Sequence, residues 1–269
     1  MSESRTSSDR LGWETSNLRA GHYAKKQLFC RSAIIAWSHR SRFRLARKLV
    51  DPYAGGNLLD YGCGDGTFLA GVHDLFPVAV GADIDHGQNL ECGTRLATLS
   101  NISFLLTNEL TDPIHESAYR VVTCMEVLEH CIEEDLNQVV SDLWRLVSPD
   151  GVVIISVPVE VGPSLIGKQL LRMFASWRGL GDYGDSERYS SRELGRMLFA
   201  GEHTVIYRPV YSDGPCSSRY HSHKGFNWRA LRGRLGEYFD VKETYFSPLG
   251  CLRGYFSSQA WFVCASRKR

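Results

Sequence analysis

The sequence has no surplus of either charge. Its 269 residues carry 31 Lys+Arg and 30 Asp+Glu, with a pI near 7.6, so no global field draws in a polyanion and bulk nucleic-acid binding is disfavoured. It also has no CxxC pair. The eight cysteines stand apart at Cys30, Cys63, Cys92, Cys124, Cys131, Cys216, Cys251 and Cys264, which excludes a zinc ribbon and a dithiol redox motif. Several lie in apolar runs such as Val122-Thr123-Cys124-Met125 and Phe262-Val263-Cys264, where a thiol behaves as a small hydrophobe. Free thiols in a reducing compartment are expected. No run approaches the roughly 20 apolar residues of a membrane span, and residues 1–20, rich in Ser, Arg, Thr and Glu, lack the apolar core of a signal peptide. The expected location is cytoplasmic. Internal repeats and low-complexity segments are missing as well.

What is present is ordinary for a globular chain: 43% apolar and 23% charged residues, at a length that suits one α/β domain with decorations. Residues 1–20 read as a disordered polar tail and residues 21–56 as an N-terminal helical cover. In the cover, Leu28, Ile34, Trp37 and Leu45 alternate with Lys25, Arg31, Arg40 and Arg47 in a helix over 23–50, ended by Asp51-Pro52 and Gly55-Gly56. From residue 57 strands alternate with helices. Strands are predicted at 57–61, 78–83, 102–106, 120–125 and 152–157; helices at 67–76, 88–99 and 133–147; and a turn at Ser148-Pro149-Asp150-Gly151. Such alternation predicts a parallel sheet covered on both faces, and the run Val152-Val153-Ile154-Ile155 fits two-sided burial. Beyond 158 the pattern loosens into helices at 164–178 and 191–200, a strand at 204–207, and two closing strands at 239–246 and 259–265.

The most informative segment is Leu58-Leu59-Asp60-Tyr61-Gly62-Cys63-Gly64-Asp65-Gly66-Thr67. A buried strand runs into closely spaced glycines and then a helix, so backbone N–H groups can approach a ligand with no side chain between. Asp83, at the end of the next strand, is placed to take two ribose hydroxyls. The dinucleotide fingerprint would want a third small residue where Thr67 stands. Asp60 and Asp65 beside the loop would repel a pyrophosphate but suit a ligand with an ammonium and a sulfonium, which points to S-adenosylmethionine.

A second signature, Val121-Val122-Thr123-Cys124-Met125-Glu126-Val127-Leu128-Glu129-His130, is followed by Leu143-Trp144-Arg145-Leu146-Val147-Ser148-Pro149-Asp150-Gly151. With the glycine loop, these motifs resemble the class I S-adenosylmethionine-dependent methyltransferases, and among them the ubiquinone-biosynthesis O-methyltransferase type, over about residues 57–158. The resemblance implies an α/β, Rossmann-like fold: a seven-stranded, mostly parallel sheet with an antiparallel last strand and helices on both faces. It implies a methyltransferase domain over 57–269 with an acceptor-side insertion at about 160–189. Asp60, Gly62, Gly64 and Gly66 would cradle the methionine end of the cofactor, Asp83 the ribose, and Ile84 would pack beside the adenine. Asn108 stands where the family has an Asp near the adenine amino group, so Asn or a neighbouring backbone group would serve there. Met125 would touch the cofactor from the end of the fourth strand. Arg42, twenty residues before Gly62, lies at the spacing of a cofactor-binding arginine in the quinone enzymes; the alternative is one exposed cation among many.

Methyl transfer to a hydroxyl benefits from a base near neutral pH, a task that suits imidazole. His130 is the candidate; the alternative is that it only secures a strand-to-helix turn. Glu126, Glu129 and His130, at i, i+3 and i+4, would share one face of a helical turn as a divalent-cation site requires. Similar enzymes, including small-RNA 2′-O-methyltransferases, use these positions for a metal. The RNA enzymes add a downstream histidine, which the loop at 182–189 lacks. Metal dependence therefore stays open. The expected acceptor is a small molecule or a lipid- or sugar-linked hydroxyl; RNA and a non-catalytic cofactor-binding protein are the rivals. The apolar arc of Leu165, Ile166, Leu170, Met173, Phe174 and Trp177, flanked by Lys168, Arg172 and Arg178, could line an acceptor pocket, pack on the core, or make peripheral membrane contact. Residues 208–234 mix aromatics with cations as a ligand-gripping or plainly solvated face, and His221-x-His223 without a nearby third ligand makes a poor metal site.

Overall fold

The computed structural model describes residues 16–167, 189–212 and 219–267. Seven strands form one sheet: β1 (Asn57–Tyr61), β2 (Val78–Asp83), β3 (Ile102–Leu106), β4 (Tyr119–Met125), β5 (Val147–Pro158), β8 (Phe239–Ser247) and β9 (Gln259–Ser266). Their order is β3-β2-β1-β4-β5-β9-β8. Between β5 and β8 a separate two-stranded hairpin is made by β6 (Val210–Ser212) and β7 (Arg219–His221). The β1–β2, β1–β4 and β2–β3 pairs are parallel, and β8–β9 is antiparallel. The expected fold class is therefore the observed one. By its contacts the chain divides into two compact units, one of residues up to 125 with 145–154, the other of 126–144 with 155–267.

In the first unit the helix expected over 23–50 is broken. Helix α1 (Ser16–Ala20) and a π-helical turn at Ala24–Leu28 precede α2 (Ala33–Val50). Ser32 causes the restart: its backbone is extended, at φ −81° and ψ 108°, and its hydroxyl accepts from the Ile35 N–H. Arg40 Nε donates to the Leu28 carbonyl at 2.8 Å, which satisfies the end of the preceding turn. Leu18, Ala24 and Leu28 are fully buried with Ala70 and Leu96, so this segment is part of the first unit's core. Arg47 on α2 fixes the helix further by a bidentate bond to Asp74 at 2.7 and 2.6 Å.

Helix α3 (Thr67–Val72) is wholly buried and passes into a 3₁₀ turn over His73–Leu75 where continuous helix to 76 was expected. Helix α4 (His86–Arg95) starts two residues earlier than expected because the Asp85 carboxylate accepts from the Gln88 N–H at 3.0 Å. It also ends at Arg95 rather than at 99. The turn expected at 148–151 is already extended chain. Gly151 serves close backbone approach instead: a Cβ there would lie 2.9 Å from the Arg120 carbonyl oxygen.

In the second unit, α6 (Ser191–Leu198) opens with a capping box between Ser190 and Glu193. Helix α5 (Glu133–Leu146) runs between β4 and β5 as expected. No strand forms at 204–207, which was expected; the pairing falls instead at β6 and β7. Helix α7 (Trp228–Tyr238), hidden in sequence among cations, begins at Asn227, whose side chain accepts from the Arg229 N–H at 3.1 Å. Trp261, Phe262 and Phe239 are the largest buried side chains here, and the Trp261 indole donates to Ser247 Oγ at 3.0 Å. The seven described cysteines are thiols. Of the segment 164–178, only 164–167 is described; Lys168, Leu170, Arg172, Met173, Phe174, Trp177 and Arg178 lie outside the described residues, as do residues 1–15 of the tail expected over 1–20, whose residues 16–20 are helical with Leu18 buried, not disordered.

Asn101 ties the entry of β3 to the end of α3, donating from Nδ2 to the carbonyls of His73 at 2.7 Å and Phe76 at 2.9 Å. Asn101→Ala should lower stability by about 1–2 kcal/mol, the net worth of two such bonds. A urea midpoint equal to the wild type's would refute this role.

Candidate active site

The loop after β1 is built on backbone conformations that favour glycine. Gly62, Gly64 and Gly66 have φ of 75°, 53° and 66°, values that cost an L side chain conformational energy. Their surroundings differ. A Cβ on Gly66 would lie 3.1–3.2 Å from Phe104 and Leu96, so that glycine serves packing, whereas one on Gly64 would meet nothing nearer than Gln88 at 3.9 Å. Gly64 thus stands at an open stretch of backbone. The loop is pinned to β2: Gly62 and Cys63 both donate to the Ala82 carbonyl, at 2.7 and 3.1 Å. The Asp83 carboxylate accepts from the Gly64 N–H at 2.9 Å and from the Asp85 N–H at 3.1 Å.

Asp60 sits within β1, 1% exposed, opposite Thr123 in the parallel β1–β4 register. The Thr123 hydroxyl donates to Asp60 Oδ1 at 2.7 Å. Burial raises the Asp60 pKa to about 7; the Thr123 hydrogen bond opposes this and the Asp83 charge adds to it. Of the remaining predicted residues, Ile84 is 75% exposed just beyond β2. Asn108 is exposed at the start of a 3₁₀ turn, and Met125 is half-buried at the end of β4.

One acid has a duty the sequence did not suggest. Asp65, expected beside the ligand, accepts from the Tyr23 N–H at 2.8 Å and the Thr67 N–H at 3.1 Å, clipping the N-terminal segment onto the loop. Arg42 joins the same assembly, with Nη1 3.3 Å from the Tyr23 hydroxyl and 3.4 Å from His39 Nδ1. Tyr23 and His39 themselves meet at 2.7 Å. Burial, aided by Arg42, lowers the His39 pKa to about 4, so a neutral ring accepts these bonds.

In the second unit, residues 126–130 form no helical turn, and the expected set of Glu126, Glu129 and His130 is split. Glu126 adopts φ 59°, a strained value for a residue with a side chain. Its N–H donates to the Ser156 carbonyl at 2.9 Å, and its Oε2 accepts from Gln259 Nε2 at 2.8 Å. Glu129 and His130 are joined by His223 instead. His130 Nδ1 lies 2.9 Å from the His221 carbonyl, which can only accept, so Nδ1 carries the proton and Nε2 is the basic nitrogen. That Nε2 is 3.1 Å from His223 Nε2, and Glu129 Oε1, fully buried, is 3.9 Å from each. Arg208 holds the two loops together, donating to the Glu129 carbonyl and, at 2.8 Å, to the Ser222 carbonyl. The imidazole pair remains partly open, each ring being 43% exposed.

Thr123 was legible as a polar residue inside an apolar strand. The spacing His221-x-His223 reads as a poor metal site for want of a nearby third ligand; the structure corrects this for His223, which meets His130 across 93 positions and lies beside Glu129.

Residues 37–201, more than half of the chain, match a family described as a methyltransferase domain. A ubiquinone biosynthesis O-methyltransferase of Psychrobacter cryohalolentis is 29% identical over 159 residues, covering 55% of this chain and 59% of that protein. A small RNA 2′-O-methyltransferase of Mus musculus is 25% identical over 138 residues, covering 46% of this chain and 35% of that protein. The chain thus spans well under two thirds of either relative. A solved structure from Pyrococcus horikoshii OT3 shares the fold at a TM-score of 0.57 and 17% identity, covering 91% of this chain and 98% of that one.

Asp60 holds more protons folded than unfolded between its unfolded value near 4 and its folded value near 7. Its contribution is therefore present at low pH and lost as pH rises through about 7. Asp60→Asn, which keeps an acceptor for Thr123, should gain on the order of 4 kcal/mol relative to wild type between pH 4 and 8. A stability difference that stays constant with pH would show that Asp60 titrates normally.

Proposed function

Because the chain belongs to the methyltransferase-domain family, as a class I S-adenosylmethionine-dependent enzyme, we propose that it methylates a hydroxyl oxygen of a small-molecule or lipid- or sugar-linked acceptor, with His130 as base. The observation that carries this reading is the His130 tautomer: Nδ1–H donates to the His221 carbonyl and keeps its proton, so Nε2 is the nitrogen with a lone pair for a second one.

The residues of the glycine loop fit the cofactor. Gly64 offers backbone with no obstructing side chain, and the Asp83 carboxylate lies beside it. Gly62, Gly64 and Gly66 would receive the methionine end, with Asp60 supplying negative charge beneath the loop; Asp83 would take the ribose, and exposed Ile84 and Asn108 the adenine. Arg42 acts on this loop through Tyr23 and Asp65, and Met125 borders it from the end of β4. When bound, S-adenosylmethionine supplies a methyl group activated by its sulfonium. His130 Nε2 accepts the hydroxyl proton as the carbon–oxygen bond forms, and Glu129 is near enough to balance the imidazolium charge. Orienting the hydroxyl for in-line attack contributes several kcal/mol beyond proton removal.

The donor set also suits a divalent transition metal, with two imidazole nitrogens and a carboxylate oxygen all within 4.8 Å of one another. Glu129, His130 and His223 would hold it, and it would supply Lewis-acid activation of the hydroxyl. This observation favours a second reading, metal-assisted 2′-O-methylation of RNA, because His223 provides the downstream histidine that the loop at 182–189 lacks. The insertion at about 160–189 is proposed as the acceptor cover, and its membrane contact through 164–178 stays with residues mostly outside those described. The thiols of the described cysteines support a cytoplasmic setting.

His130→Gln should lower kcat for methyl transfer to a catechol by at least ~100-fold while leaving calorimetric affinity for the cofactor within about twofold. Wild-type turnover would make His130 structural. The same assay with EDTA separates the readings: full activity supports His130 as the base, while loss of activity restored by Mn²⁺ supports the metal.

A further inference from the structure

Apart from the histidine cluster, the second unit contains a cavity of about 750 Å³ between α7, β8 and the segment 250–255. Its wall carries three guanidinium groups, Arg229, Arg232 and Arg253, against one carboxylate, Glu202. Among the described residues Glu202 forms no ion pair with any of them. Arg229 Nη1 donates to the Ala200 carbonyl at 3.0 Å, and its guanidinium lies 4.6 Å over the Trp228 ring. Among the described residues it forms no ion pair, and burial lowers its pKa. Arg232 Nε donates to the Thr244 hydroxyl at 3.3 Å. Arg229 is half-buried, while Arg232 and Arg253 are exposed at the rim, so the three cations set a local positive potential that favours an anion in the concavity.

The rest of the wall is aromatic. Trp228, Tyr245, Phe246 and Tyr255 line the cavity. Trp228 is 8% exposed, and its indole N–H has no acceptor among the described residues, which is unusual for a buried donor. Arg253 is held at φ 48° and ψ −145°, a conformation that disfavours any residue but glycine. Placing an arginine there, where glycine would relax the chain, puts a third guanidinium on the cavity wall at a conformational cost.

We propose that this cavity binds an aromatic oxyanion, a flat ring bearing a phosphate or carboxylate group, with the exposed rings of Tyr245 and Tyr255 packing on the ligand and the arginines neutralising its charge. The size is in the range of small-molecule sites. The inference does not depend on the methyl-transfer reading, and its test needs no cofactor.

The full chain would be titrated calorimetrically, without S-adenosylmethionine, with phenyl phosphate, benzoate, inorganic phosphate and phenol. Phenyl phosphate or benzoate should bind at one site at least ~10-fold more tightly than phosphate or phenol, and more weakly as salt is raised. Which of the two binds better identifies the anionic group. Arg253→Gly, which relieves the backbone, should weaken binding at least ~10-fold; Arg232→Gln gives a second variant should the first fail to fold. Binding no stronger than that of the ring or the anion alone, or unchanged in both variants, overturns the assignment.

Discussion

The backbone at the end of β1 is the constraint on which the first unit depends. Three glycines with positive φ turn the chain sharply enough for the N–H groups of Gly62 and Cys63 to reach the Ala82 carbonyl and for that of Gly64 to reach Asp83. Side chains at these positions would strain the turn, and at Gly66 would also collide with Phe104 and Leu96. The same loop exposes Asp65 to the Tyr23 N–H, so the position of the N-terminal segment follows from the loop's shape. Asp60, buried under it and held by Thr123, has a carboxyl that burial pushes up to about 7, and a cationic ligand above it would favour the charged form.

The histidine cluster shows how backbone interactions prepare side-chain chemistry. A carbonyl at His221 selects the His130 tautomer, Arg208 ties the loops that bear Glu129 and Ser222, and strained Glu126 is fixed by Ser156 and Gln259. The contacts that set the two loops use backbone carbonyls, the Arg208 guanidinium and the Gln259 amide, and two imidazole nitrogens and a carboxylate oxygen face one another. A base and a metal-binding triad can share one set of atoms, which is why a single geometry admits two closely related enzymatic readings.

Much of the fold was legible because its strands are short, apolar and separated by helical periodicity. The first three strands fall where alternation placed them. Local capping was harder to see: Ser32 interrupts a continuous amphipathic pattern, and Asn227 starts a helix in a segment dominated by cations. The glycine loop and Asp83 could be read directly, since their chemistry is contiguous with a strand. The histidine cluster could not, because spacing grouped Glu126 with Glu129 and His130, whereas the chain turns after β4 and brings His223 in place of Glu126. Long-range pairing depends on tertiary contacts that periodicity does not encode. Balanced net charge hid an equally local feature, the guanidinium-rich cavity beside α7.

The central claim is that the open glycine loop and Asp83 together hold S-adenosylmethionine. Calorimetric titration of that cofactor into wild-type protein and Asp83→Ala tests it most directly. The wild type should bind one-to-one, and the variant, with unchanged circular dichroism, at least ~10-fold more weakly. Absence of binding by the wild type, or equal affinity in the folded variant, would contradict it.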